Sequence, residues 1–259
     1  MNVTLAAFAL CSLLAQTEKG KYDAGYLCAP AYALDDDIRG PLKPYVPQPG
    51  DIYMSTDRSW IINAGHRLAW SGQPNHSGIV IALPDGKPAI LEGGPFNGIK
   101  IEILDLYYDL NHHQERMEKC WIRARKTPLK KEQSEQLTAW AFAQKDKPFA
   151  VRRMLRQMTP FRTRGPLRTY FMGGPNGERG RYFCAELVME SCVHVGVLPK
   201  ETTRPSATYP EDMFFDKSKN VYLNTHFTLA DGWHPPARWL ARPEAETPPN
   251  ITAVKYAPK

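Results

Sequence analysis

The stretch "HSGIVIALPDGKPAILEGG", residues 76 to 94, constrains the fold of this chain more than any other. Two β-prone apolar runs flank Asp85-Gly86, which is the signature of an antiparallel hairpin. The parity of its loop decides which side chains share a face, because successive strand residues point to opposite faces. A two-residue turn at Asp85-Gly86 sets Ile79 opposite Glu92 and sends His76 to the other face. The five-residue loop "PDGKP" sets Val80 opposite Glu92 and places His76 and Glu92 together. Pro88 cannot donate a ladder hydrogen bond, which favours the longer loop.

Further strands are expected around this hairpin. "DIYMS" follows the turn Gly50-Asp51, "GIKIEIL" alternates with period two, and "KCWIRAR" turns Cys120 inward. Several short antiparallel strands within one stretch predict a small antiparallel sheet or partial barrel. The pattern then changes. "TPLKKEQSEQLTAWAFAQ" reads as a helix with Thr127 as N-cap and Pro128 at its first position, and Leu129, Leu137, Trp140 and Ala141 on its apolar face. "FAVRRMLRQM" has a rough helical period. "RYFCAELVMESCVHVG", residues 181 to 196, reads as a helix that begins at Cys184 and stops at Gly196. The fold class is α+β, with helices packed on the sheet and proline-rich extensions at both ends.

The expected limits are a signal or membrane-associated segment over 1–19, a catalytic domain over 20–199 whose lead-in (20–49) is irregular, and a proline-rich extension over 200–259. Trp233 and Trp239 are expected to tack that extension onto the core. The apolar run from Val3 to Ala15 has the length of a signal-peptide core and is short for a bilayer span. Exported, membrane-associated and cytoplasmic locations all stay open.

Five scattered cysteines without CxxC pairs exclude a disulfide framework and a structural zinc site. His112 and His113 are adjacent and point in different directions, so they are not expected to form a metal pair. Cys28, Cys120 and Cys192 read as packing residues, and no cofactor or metal is expected. Cys184 is different. It occupies a helix start, where unpaired backbone N–H groups favour a thiolate. A cysteine nucleophile also needs an imidazole partner, and the imidazole needs a third group to orient it. His76, at the mouth of its strand, and Glu92, on the partner strand, supply these, with Asn97 as a substitute for Glu92.

In that order, "PGDIY", "HSGIVI", "ILEGG" and "RYFCAELV" resemble the YaeF/YiiX family of permuted papain-like amidases, in the NlpC-type superfamily of cysteine peptidases. The resemblance covers about residues 50 to 198. It implies a circularly permuted papain-like arrangement with Cys184 as nucleophile, His76 as general base and Glu92 as the third polar residue. The Cys184 backbone N–H is an expected oxyanion donor, with Tyr182 or Tyr53 as a second, substrate-contacting group.

The expected activity is cysteine-dependent amide hydrolysis, on peptidoglycan peptides or acylated amines. Two alternatives stand beside it. One is a thiol acyltransferase or lipid hydrolase with the same triad, which a hydrophobic groove of Phe149, Met154 or Phe171 would favour. The other is a non-catalytic binding module. The expected partners are a peptide, cell-wall or acyl-lipid substrate. Residues 145–181 carry ten Lys or Arg against Asp146 and Glu178, more net charge than the +6 of the whole chain. They form either an electropositive rim for an anionic surface or a solvated face. No nucleic-acid-binding motif accompanies them, so no nucleic-acid partner is expected.

Overall fold

The computed structural model describes residues 24–28, 41–94, 99–162 and 176–241. The expected leader over 1–19, Asn97 and Phe171 lie outside these residues.

The chain folds into one open sheet of eight strands among the described residues, every neighbouring pair antiparallel. The strands are β1 (Tyr26–Cys28), β2 (Leu42–Pro44), β3 (Ile52–Ser55), β4 (His76–Ala82), β5 (Pro88–Gly93), β6 (Ile101–Asp105), β7 (Cys120–Arg123) and β8 (Ala237–Leu240). Their order across the sheet is β2-β1-β8-β7-β3-β4-β5-β6. Seven α-helices accompany them among the described residues: α1 (Trp60–Leu68), α2 (Leu106–Glu115), α3 (Lys131–Gln144), α4 (Val151–Gln157), α5 (Cys184–His194), α6 (Pro210–Phe215) and α7 (Val221–His226). No helix among the described residues is long and apolar enough to cross a membrane.

The α+β class is as expected, and so are the five strands β3 to β7. The sheet is not small, however. The lead-in contributes β1 and β2, and the tail places β8 between β1 and β7. The tail is held at two indoles, where Trp233 Nε1 donates to Gly50 O (2.8 Å) and Trp239 Nε1 to Ala24 O (2.6 Å). Fully buried Arg123 adds a third tie, donating to the carbonyls of His234 and Met213.

Alternation splits the core between the two faces of the sheet. Ile52, Met54, Ile79, Ile81 and Leu91 pack against Leu187, Val188 and Cys192 of α5. Tyr53, Val80 and Ile90 pack on the opposite face against Leu106 and Leu110 of α2. Helix α3 starts at Lys131, not Pro128. Thr127 O accepts a bond from Arg125 Nε, Leu129 packs on the core, and Gln133 Oε1 accepts the Lys130 N–H.

The hairpin corrects the expected register by two residues and keeps its parity. Gly78, not Val80, lies opposite Glu92. The ladder continues to a Leu83 N–H bond with Lys87 O, leaving the three-residue loop Pro84-Asp85-Gly86. Gly86 has φ +82°, the left-handed conformation that ends such loops. An odd loop of three sets the same faces as an odd loop of five, so Glu92 keeps the face of His76.

Gly78 then has a specific role. A Cβ there would lie 2.7 Å from Ile90 Cγ2, 3.0 Å from Leu91 O and 3.2 Å from Glu92 Cβ. Gly78→Ala is therefore expected to destabilise the fold by about 1–3 kcal/mol through overpacking against backbone. Urea denaturation monitored by tryptophan fluorescence would read this as a lowered midpoint.

Candidate active site

Cys184 is the first residue of α5 and 8% exposed. Its position is set from the preceding residues. Tyr182 bridges in parallel to Phe149, and the Ala150 N–H donates to Tyr182 O (2.9 Å). Phe183 is extended, and its N–H donates to Glu186 Oε2 at the third helical position (3.4 Å). Glu186 is fully buried and neutralised from outside the helix. Arg153 donates to both its oxygens (2.6 and 2.7 Å), and Arg179 Nε lies 3.2 Å away. Burial raises the Glu186 pKa while these arginines oppose the rise. Part of the basic stretch over 145–181 thus positions the cysteine helix. Lys147 is occupied as well, by Glu178 and Gln144.

His76 is the first residue of β4, where the imidazole stands at the end of the sheet. Its Nε2 lies 2.7 Å from Glu92 Oε2, and the ring lines the same cavity as the Cys184 thiol, which is near enough to help raise its pKa. With Nε2 on Glu92, the nitrogen left for the thiol is Nδ1. His76 is diagonal to Glu92 in the ladder, across the side-chain gap left by Gly78. Burial disfavours the imidazolium, but the hydrogen-bonded Glu92 carboxylate and the nearby Cys184 thiol outweigh it, and the His76 pKa rises well above its ordinary value. The structure therefore brings Cys184, His76 and Glu92 together from the two halves of the chain.

A cavity of about 150 Å³ opens beside Cys184 and His76. Its apolar wall includes Ile62, Phe149, Met154, Met158 and Phe183. Cys184 is the one described cysteine that lines it. The others pack as expected. Burial pushes Cys192 up to about 12 and raises Cys120 beyond that range.

Tyr182 and Tyr53, expected as substrate-contacting residues, are not among the residues that line this cavity. The Tyr182 hydroxyl accepts the Arg179 N–H (2.7 Å), and its ring packs edge-on to Trp140, on the far side of the α5 start. Tyr53 is fully buried under α2, 5.6 Å in ring-centroid distance from His113. Asn75, which the sequence did not single out, does line the cavity, with Nδ2 donating to Asn63 Oδ1 (3.1 Å).

A second polar cluster lies behind the imidazole. His113 Nδ1 is 2.5 Å from Glu118 Oε2, and its Nε2 is 3.9 Å from Asp109 Oδ2. That Asp109 oxygen is buried without a hydrogen-bond partner among the described residues. Glu92, Asp109 and His113 each offer a ligand atom, all within 4.8 Å of one another. This donor set could hold a divalent cation. Alternatively, the two buried carboxylates can share a proton. Burial first, and Glu92 second, push Asp109 up to about 7, against the pull of His113 and His76. The sequence contained a signal for this cluster that adjacency obscured. Asp109 and His113 are four residues apart and share a helix face, whereas the neighbouring His112 stacks on Tyr108.

No family model matches the chain, and no curated protein matches it. Among solved structures, the chain is similar to the metalloprotein YiiX from Escherichia coli O157:H7. The identity is 19%, over 60% of this chain and 69% of that chain, with a TM-score of 0.41.

The buried acids whose pKa is raised and His76 give stability the same pH dependence. A carboxyl raised on folding binds more protons in the native state between its two pKa values, so stability grows as pH falls through that window. For Asp109 the window runs from about 7 down to near 4. An imidazole raised on folding loses its stabilisation as pH rises through the folded pKa, which has the same sign. The thermal midpoint should therefore rise from about pH 8 to about pH 5, and Asp109→Asn should flatten that rise. Calorimetry across this range checks it.

Proposed function

We propose that the chain is a cysteine-dependent amide hydrolase that acts through Cys184, His76 and Glu92. The observation that carries this reading is the imidazole bonded to the Glu92 carboxylate at 2.7 Å, with the Cys184 thiol beside it on the wall of the same cavity. The roles follow from the chemistry. His76 Nδ1 takes the thiol proton, and Sγ attacks the substrate carbonyl carbon. The oxygen of the tetrahedral intermediate faces the first-turn N–H groups of α5, which have no intrahelical partners. The C–N bond then breaks as His76 returns its proton to the leaving amine, leaving a thioester. His76 next deprotonates water, which attacks the thioester, and Sγ leaves with the proton. Glu92 holds the ring in orientation and stabilises the imidazolium.

The cavity favours an acylated amine over a cell-wall peptide. Phe149 and Met154, named from the sequence as markers of an apolar groove, both line it, together with Met158 and Phe183. The same wall supports the second reading, in which an acceptor other than water takes the acyl group, as in a thiol acyltransferase.

Alkylation with an iodoacetamide probe near pH 6, where ordinary thiols are protonated, tests the pair. Labelling should be confined to Cys184, disappear in Cys184→Ala and fall roughly 10–100-fold in His76→Ala. Equal labelling of all three proteins would remove the catalytic reading. With acyl-p-nitroanilides of increasing chain length, kcat/KM should climb with each added methylene until the cavity is filled, and Met154→Trp should shorten the preferred chain.

A further inference from the structure

Helix α1 is amphipathic with its apolar residues on both sides. At 100° per residue, Ile62, Gly65, His66 and Ala69 fall on one face, and these residues line the cavity. Trp60, Ile61, Ala64 and Leu68 fall on the opposite face. Trp60 is 77% exposed, Ile61 61% and Leu68 59%. Polar residues would be expected on a solvated helix face, and this one is apolar instead.

The neighbouring segment repeats the arrangement. Met154 and Met158 of the α4 region line the cavity, whereas Leu155 and Phe161 are 51% and 60% exposed. The two segments are joined. A Cβ on Gly65 would lie 2.5 Å from Met158 Cε, so the helices are in close contact. Arg162 Nη1 donates to Leu68 O (2.6 Å), and its guanidinium stacks 4.3 Å from the centre of the Trp70 ring, which is itself 48% exposed. Residues 57–72 and 151–162 together carry six arginines against Asp57 alone. Arg58, Arg67, Arg152 and Arg156 are exposed.

We infer that this face, formed by the outer side of α1 and the segment from Arg152 to Arg162, docks the protein on an anionic phospholipid bilayer with the cavity wall directly behind it. Exposed tryptophans and aliphatic side chains flanked by arginines match the chemistry of the headgroup boundary, where apolar groups enter and cations meet lipid phosphates. The charge balance selects an anionic bilayer as the occupant over a second copy of the same chain, whose face would carry the same positive charge. The docking does not depend on the cysteine chemistry. Delivery of a lipid acyl amide to Cys184 from the bilayer does rest on the function proposed above.

The test uses the full chain in flotation with phosphatidylcholine vesicles and with equimolar phosphatidylcholine–phosphatidylglycerol vesicles. Binding to the anionic vesicles alone, weakened roughly tenfold or more by Ile61→Ser with Leu68→Ser, and roughly a hundredfold by Arg67→Glu with Arg152→Glu, is expected. Absence of binding, equal binding to both vesicles, or binding that survives all four substitutions would each overturn the inference. So would dimerisation of the wild type through this face in sedimentation. Brominated phosphatidylglycerol provides a measurement independent of variant folding. Quenching of wild-type tryptophan fluorescence that diminishes in Trp60→Ser is expected, and no quenching would overturn the inference. Cys184→Ala should float as the wild type does. Docking without Cys184 labelling would therefore count against the catalytic reading alone, and labelling without docking against this surface alone.

Discussion

One contact, His76 Nε2 to Glu92 Oε2 at 2.7 Å, organises the end of the sheet at which the candidate site forms. Helix α5 packs on one face, while His76 and Glu92 belong to the other. They meet because His76 is the terminal residue of its strand, where no further backbone separates the faces. The diagonal contact crosses Gly78, whose missing side chain leaves room for it. An imidazole fixed in this way presents a defined nitrogen to the first turn of α5, and the reactivity we propose for Cys184 depends on that orientation.

The surroundings are organised around the cost of buried charge. Glu186 caps the start of α5 from a fully buried position, and Arg153 and Arg179 compensate it from the basic stretch. Behind His76, Asp109 and Glu92 are too close for both to be comfortably ionised in a dry environment, and the pKa of Asp109 rises accordingly. At the start of β3, buried Asp51 is raised to about 6 by desolvation, even though the Arg125 and Gln48 N–H groups and the Tyr45 hydroxyl all donate to it. Asp51 and Asp109 are thus held close to the point of protonation at neutral pH.

Much of this was legible in the sequence because period two is a strong signal. The parity of the hairpin, and with it the shared face of His76 and Glu92, could be read from the odd loop. The register could not, because whether the ladder stops at Ala82 or continues through Leu83 depends on the left-handed Gly86 and leaves no mark on hydrophobicity. Strands β1, β2 and β8 are three or four residues long, too short to show a period, and they form only by pairing with distant partners. Helix α1 escaped notice because its apolar residues cover two faces. Asp109 and His113 were obscured by a reading that treated His112-His113 as a pair. Tyr53 shares the sheet face of His76 but lies two residues further into the sheet, buried under α2, and the Tyr182 side chain is taken up by Arg179 and Trp140.

The most direct test of the central claim follows the His76 ring by NMR across pH in the wild type, Glu92→Gln and Cys184→Ala. Coupling of the ring to both partners predicts a wild-type midpoint well above about 6.5, lowered by each substitution. An ordinary midpoint in all three proteins, unmoved by either change, would contradict the account.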